Sequence, residues 1–176
     1  MTCMTTPTSG WLLEGTVGDG ASPGGLPRCQ AVVLACIDFR FIEPLRSFLE
    51  AQGLTDDYDL VCWPGGALAL TTADRPALLD AVALACDSDR PSQLILVVHH
   101  DCDRVGGSAT FPGRQAETTT LNIALAMAAE SATARFPRLR VRMARLDLIG
   151  PSAVFETLPG HSSPSDLDTC KPRTKR

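Results

Sequence analysis

Two uninterrupted apolar runs constrain this chain more than any other feature: residues 31–36 (Ala-Val-Val-Leu-Ala-Cys) and residues 93–98 (Gln-Leu-Ile-Leu-Val-Val). Runs this short, without polar alternation, suit strands covered on both faces, which is the situation of a parallel sheet flanked by helices. The intervening segments carry the matching helical signals. Residues 41–52 place Phe41, Leu45, Phe48 and Leu49 at helical spacing and end before Gly53. Residues 58–62 form a second short strand closed by Trp63-Pro64-Gly65-Gly66. Asp74 can cap a helix from Pro76 to about Cys86, and an Ala-rich helix over 117–136 stops at Pro137. Residues 139–148 then alternate Val141, Met143 and Leu146 against Arg140, Arg142 and Arg145, the pattern of an edge strand.

Strand, helix, strand, helix, strand, helix, strand is the pattern of an α/β domain. The expected architecture is a mainly parallel four-stranded sheet of order 2-1-3-4, flanked by helices and joined by right-handed crossovers, with room for an extra edge strand. Ligands in such sheets bind beyond the carboxyl ends of the strands, where the strand order reverses. That order brings the ends of the first and third strands side by side. Residues 1–29 are rich in Thr, Ser, Gly and Pro and read as a flexible lead-in. Residues 30–156 form one domain, and 157–176 read as a flexible tail with a basic end.

Bulk properties exclude several function classes. A net charge of −4 on 176 residues offers no reason to expect nucleic acid or an anionic membrane as partner. No run approaches the roughly 18 apolar residues that a membrane span requires. The first ten residues lack a basic segment followed by an apolar stretch, so no secretory signal is read there. Of seven cysteines, Cys36, Cys62, Cys86 and Cys102 lie in or beside apolar segments. An odd number without an export signal predicts reduced thiols in a cytoplasmic protein and turns attention to metal binding.

The first strand ends in Cys36-Ile37-Asp38-Phe39-Arg40 and the third in His99-His100-Asp101-Cys102. Two thiolates and an imidazole around one point suit zinc, whose catalytic sites use three protein ligands and leave a fourth position for water. Two thiolates also cancel the charge of the dication. A buried cysteine serves equally as a small hydrophobe, so the residues alone leave both readings open. If the backbone stays extended beyond Cys36, residues 36, 38 and 40 share a face. Arg40 can then hold Asp38 by a two-pronged ionic hydrogen bond. The plain alternative for that pair is a strand-end salt bridge.

Cys-x-Asp-x-Arg followed by His-x-x-Cys, with 63 positions between Cys36 and His99, resembles the signature of the β-class carbonic anhydrases. The resemblance covers about residues 30–150. It implies that Cys36, His99 and Cys102 hold one zinc ion per chain and that Asp38 and Arg40 form the catalytic acid–arginine dyad. It leaves His100 as a loop histidine and places Phe39 and Val98 in the apolar wall around the substrate. The activity implied is reversible hydration of carbon dioxide to bicarbonate and a proton, in a homodimer or higher homo-oligomer. Three features depart from the family pattern. Trp63-Pro64-Gly65-Gly66 stands where Arg-Asn-Ala-Gly is common, Asp103 follows the second Cys where Gly is common, and a Gly/Pro-rich lead-in replaces a helical arm.

The same site could instead hydrolyse carbonyl sulfide or carbon disulfide, or serve as a non-catalytic zinc- or bicarbonate-binding module. A redox protein using Cys36 and Cys102 is a further alternative, weakened by the absence of any Cys-x-x-Cys. His161, in the Ser/Pro-rich tail, is a weak candidate for a proton carrier.

Overall fold

The computed structural model describes residues 28–149 and 152–159. The remainder of the predicted lead-in and tail, and His161, lie outside the described residues. Five strands form one sheet: β1 (Ala31–Cys36), β2 (Tyr58–Trp63), β3 (Gln93–His99), β4 (Arg140–Ile149) and β5 (Ser152–Leu158). Among the described residues three α-helices accompany them: α1 (Ile42–Ala51), α2 (Arg75–Asp89) and α3 (Arg114–Arg135). The spatial order is β2-β1-β3-β4-β5, so the expected order 2-1-3-4 is present with one strand added. The β1–β2, β1–β3 and β3–β4 pairs are parallel, and only β4–β5 is antiparallel.

The two apolar runs occupy the positions their composition requires. Every residue of β3 is buried, as are the first five of β1. Alternate side chains serve opposite faces. Val32, Leu34, Leu94, Leu96 and Val98 join the core built with α2 and α3, through Leu78, Val82, Leu121 and Leu125. Ala31, Val33, Ala35, Ile95 and Val97 join a smaller core with Leu45 and Leu49 of α1. At roughly 25 cal/mol per Å² of apolar surface, burial on both faces makes these central strands the main hydrophobic contribution to the fold.

The structure corrects the sequence reading in three places. β4 is not an edge strand: β5 pairs with it from Met143↔Leu158 to Ile149↔Ser152 and takes the edge instead. The alternation in β4 arises because Val141 and Met143 face one core, while its arginines find polar partners such as Gln93, Gln52 and Glu156. Secondly, residues Gly66–Thr71 form a buried 3₁₀ segment, with Ala67, Leu68, Ala69 and Leu70 all in the larger core, where the sequence reading assigns no element beyond the Trp63–Gly66 closure. Thirdly, the chain does not remain extended beyond Cys36: Phe39–Phe41 is a 3₁₀ turn that leads directly into α1. No helix among the described residues is long and apolar enough to cross a membrane.

Candidate metal centre

The site sits at the carboxyl ends of β1 and β3, where the strand order reverses. Parallel pairing of Val32↔Leu94 and Leu34↔Leu96 brings these ends together. β1 delivers Cys36, half-buried, and β3 delivers His99, only 3% exposed. Asp101 then adopts φ +55°, a left-handed conformation that an Asp tolerates better than most residues. The resulting turn folds Cys102 back beside them, 1% exposed. The ligand atoms of Cys36, His99 and Cys102 all lie within 4.8 Å of one another.

The donor set itself tests whether a metal fits. His99 Nδ1 lies 2.7 Å from the carbonyl oxygen of His100 and donates its proton there. That contact leaves Nε2 as the unprotonated nitrogen, and Nε2 is buried without a hydrogen-bond partner. A buried acceptor without a donor costs about 1–3 kcal/mol, and a cation removes that cost. The two thiols face each other and compete for one proton. The Cys102 contact draws Cys36 down to about 4, whereas contact with Cys36 and then burial push Cys102 far above the ordinary thiol range. Gly65 N–H donates to Cys36 Sγ at 3.3 Å, which further favours thiolate. Two sulfurs and one imidazole nitrogen match zinc in number and softness.

Asp38 and Arg40 come together as expected, but by a different local route. Asp38 Oδ1 accepts the backbone N–H of Arg40 at 3.0 Å, forming an Asx turn rather than an extended strand. Within that turn Arg40 donates to Asp38 through Nε at 3.0 Å and Nη2 at 2.6 Å. The guanidinium holds the Asp38 carboxyl below its ordinary range. Asp38 lies beside the ligand set, and both residues line an open cleft of about 620 Å³ with Cys36, Pro64, Cys102 and Arg104. A second cavity, about 130 Å³ and mostly apolar, reaches Cys36 and His99 from the α1 side, between Phe41, Leu45, Leu60, Val97 and Leu146.

Other residues fall differently. Phe39 is 80% exposed at the cleft mouth. Val98 is fully buried in the core with α3 and lines neither of these two cavities. His100 is not a plain loop histidine. It is buried 2.9 Å from Asp147 Oδ1 and 3.3 Å from Glu117 Oε2, on the α3 side of β3. Burial depresses its pKa even though Asp147 and Glu117 pull the other way.

Three contributors escaped the sequence reading: Asp101, which bonds Arg40, Glu117, which supports Asp101, and Gly65. Asp101 carried one usable signal, its place between His99 and Cys102 in the His-x-x-Cys loop. A second group, Cys29, Asp59 and Asp89, also brings ligand atoms within 4.8 Å. Burial raises both Asp59 and the Cys29 thiol there, the latter to about 11. A further cleft, about 700 Å³, lies among Cys86, Arg90, Phe136 and Leu139 at the opposite ends of β3 and β4.

Comparison with known proteins adds an independent observation. The sequence profile of the family described as "Putative carbonic anhydrase" matches residues 27–127, a span containing Cys36, Asp38, Arg40, His99 and Cys102. An uncharacterized protein of Rickettsia bellii (strain RML369-C) is 26% identical over 123 residues, covering 66% of this chain and 75% of that one. The uncharacterized protein RC0076 of Rickettsia conorii (strain ATCC VR-613 / Malish 7) is 24% identical over 123 residues, covering 66% of each chain. Among solved structures, a β-carbonic anhydrase of Trichomonas vaginalis superposes with a TM-score of 0.45 at 9% identity, over 73% of this chain and 83% of that one. A tetrameric β-carbonic anhydrase of Sordaria macrospora gives 0.42 at 15% identity, over 76% and 83%. These superpositions are loose, and the fold assignment rests on the strand order and parallel register described above. The profile match spans more than half of the sequence, and on that basis the chain belongs to the putative carbonic anhydrase family.

Proposed function

We propose that this protein is a zinc-dependent carbonic anhydrase of the β type, hydrating carbon dioxide reversibly to bicarbonate and a proton. One observation carries the reading: Cys36, His99 and Cys102 bring their ligand atoms within 4.8 Å of one another beside the Asp38–Arg40 pair, and His99 Nε2 is buried without a hydrogen-bond partner. Cys36, His99 and Cys102 would hold the zinc, which would supply the Lewis acidity that brings the pKa of water toward about 7.

The chain's own residues supply the rest. Asp38, ionised and held by Arg40, is placed to accept a hydrogen bond from the attacking water and so orient its lone pair. Phe41, Leu60, Val97 and Leu146 give a neutral linear substrate an apolar surface on the other side of Cys36 and His99. Arg40 and Arg104, both lining the open cleft, offer positive charge to the anionic product. The reading includes a cytoplasmic location, since both sulfur ligands must stay reduced. It also includes a homodimer, because β2 is an edge strand whose Leu60 is 45% exposed.

The deciding experiment is metal analysis combined with a stopped-flow CO₂ hydration assay, with carbonyl sulfide run alongside. One zinc per chain and CO₂ hydration that is lost on chelation are expected. Zinc without hydration would favour the binding-module reading, and turnover of carbonyl sulfide alone would change the substrate.

A further inference from the structure

Asp101 lies between the two ligands in the loop after β3, and through it this loop reaches Arg40. Its Oδ2 accepts from Arg40 Nη1 at 2.8 Å, and its carbonyl oxygen accepts from Arg40 Nη2 at 3.0 Å. The same guanidinium holds Asp38 through Nε and Nη2. Arg40 therefore bridges the turn after β1 to a loop 61 positions away in sequence.

Asp101 is itself fixed from behind. Its backbone N–H donates to Glu117 Oε1 at 2.7 Å, and its Oδ1 accepts from Ser108 N–H at 3.0 Å. Glu117, 2% exposed in the first turn of α3, also accepts from Ser108 Oγ at 2.7 Å. A purely structural role in closing the 99–102 turn accounts for the N–H and Oδ1 contacts. It does not account for Oδ2, which among the described residues meets only Arg40.

The geometry points to Asp101 as a positioning residue: by clamping Arg40 to the His99–Cys102 loop, it fixes where Asp38 points and keeps that carboxylate from becoming a metal ligand. The inference rests on the metal-site reading above. Asp38 and Arg40 are two residues apart in one turn, so bonds between them cannot set the direction of the pair relative to β3. A pair bonded only to itself can rotate as a unit about that turn. Carboxylate oxygen is an acceptable zinc ligand, so a free Asp38 two residues from Cys36 competes for the open position. Asp101 ties the pair to the element that carries the other two ligands, and rotation then requires breaking two charge-assisted hydrogen bonds.

Asp101→Asn separates the two roles. Asn tolerates the positive φ and keeps an Oδ1 for Ser108, while its NH₂ replaces the oxygen facing Arg40. The full chain is loaded with cobalt(II) and its visible spectrum recorded for wild type, D101N and the double variant D38N/D101N. Side-chain ¹⁵N NMR of Arg40 is measured in metal-free protein. D101N is expected to bind metal stoichiometrically with an altered spectrum that returns toward wild type in D38N/D101N. Rotation of the Arg40 guanidinium should become faster, and CO₂ hydration per metal should fall about 10–100-fold. An unchanged D101N spectrum overturns the proposal, as does loss of metal, which would mean that Asp101 only shapes the ligand loop. Wild type that hydrates no CO₂ while the spectra behave as expected refutes the functional reading and leaves the clamp standing. If wild type binds no metal, unchanged guanidinium rotation in D101N overturns the clamp.

Discussion

His99 gives its Nδ1 proton to the carbonyl oxygen of the next residue, His100, and this one contact decides which nitrogen faces the thiols. The two histidines are adjacent in sequence and opposite in role. His99 brings a ring nitrogen within 4.8 Å of the Cys36 and Cys102 sulfurs, whereas His100 turns into a carboxylate environment beneath α3.

From that division, Cys36→Ala, His99→Ala and Cys102→Ala should each remove most of the zinc, read by metal analysis of protein purified without chelator. His100→Ala should keep its zinc but leave the buried Glu117 carboxylate and the partly buried Asp147 carboxylate without their imidazole partner. A loss of about 1–3 kcal/mol in urea unfolding is expected. Stoichiometric zinc in all three ligand variants would falsify the assignment.

Gly66 should prove far less replaceable than Gly65, although both have positive φ. A Cβ on Gly66 would lie 2.7 Å from Cys36 N, 2.8 Å from Ala35 C and 2.9 Å from Val97 O, all backbone atoms of the two central strands. A Cβ on Gly65 would meet Arg104 Cγ at 2.7 Å and Arg104 Cβ at 3.0 Å, so the base of one side chain must shift, whereas no strand backbone is in the way. Gly65→Ala is expected to cost about 1–2 kcal/mol, mainly from the left-handed backbone. Gly66→Ala should exceed this clearly in the same denaturation series or fail to fold. Equal stability of the two variants would contradict the close approach described here.

The contrast between these glycines shows which parts of the fold were legible in the sequence. β1 and β3 could be read because a short continuous apolar run bounded by turn residues suits a strand covered on both faces. Cys36, His99 and Cys102 could be read because they mark the ends of those runs. Gly66–Thr71 could not be read, since Ala67-Leu68-Ala69-Leu70 is too short for a helix and follows a Pro-Gly-Gly turn. Only the packed structure shows it filling the space between β1, β3 and α3. β5 was foreseen only as an optional edge strand, because its half-exposed pattern of Val154, Phe155 and Glu156 carries little signal. Asp38 and Arg40 were paired for a reason that the backbone does not follow: an Asx turn, not strand alternation, brings them together. His100 had no signal at all, since its partners Glu117 and Asp147 are distant in sequence.

Alkaline pH should expose a different set of thiols. Burial, assisted by Asp87, raises Cys86 from its ordinary 9.0 to about 11, and burial with Asp59 raises Cys29 similarly. A raised folded-state pKa keeps the proton on the folded chain while the unfolded chain ionises. The contribution is therefore intact below about pH 9 and is lost as pH climbs toward 11. Urea midpoints measured from pH 8 to 11 should fall, and the slope should flatten in Cys29→Ala/Cys86→Ala protein. A slope unchanged by the double substitution would assign the alkaline loss to other groups.

Leu60 offers a test of assembly. β2 pairs with β1 on one side only, and Leu60 stands exposed on this edge strand. Wild type should scatter light as a dimer or larger assembly at micromolar concentration, and Leu60→Lys should shift it toward monomer, since a charged edge resists strand pairing. A wild-type chain that is monomeric throughout that range contradicts the proposed homodimer.

The Asp38–Arg40 pair separates a catalyst from a plain zinc binder. Arg40 binds Asp38 through two nitrogens, and its side chain is two-thirds buried, so its removal leaves a carboxylate without its counter-ion beside the ligand set. Arg40→Ala should keep zinc yet lose most hydration activity, because Asp38 is then free to take the open position. Asp38→Asn should also keep zinc and lose about 10–100-fold, since the amide cannot orient the attacking water in the same way. The double variant Asp38→Asn/Arg40→Ala is the informative one. If the damage in Arg40→Ala comes from Asp38 binding the metal, the double variant should be no worse than Asp38→Asn alone, because its offending carboxylate is gone. If Arg40 acts directly on substrate or product, the two losses should multiply. Activity per bound zinc across the four proteins distinguishes these outcomes. Wild-type activity in both single variants would reduce the pair to a salt bridge at the end of β1 and refute the proposed mechanism.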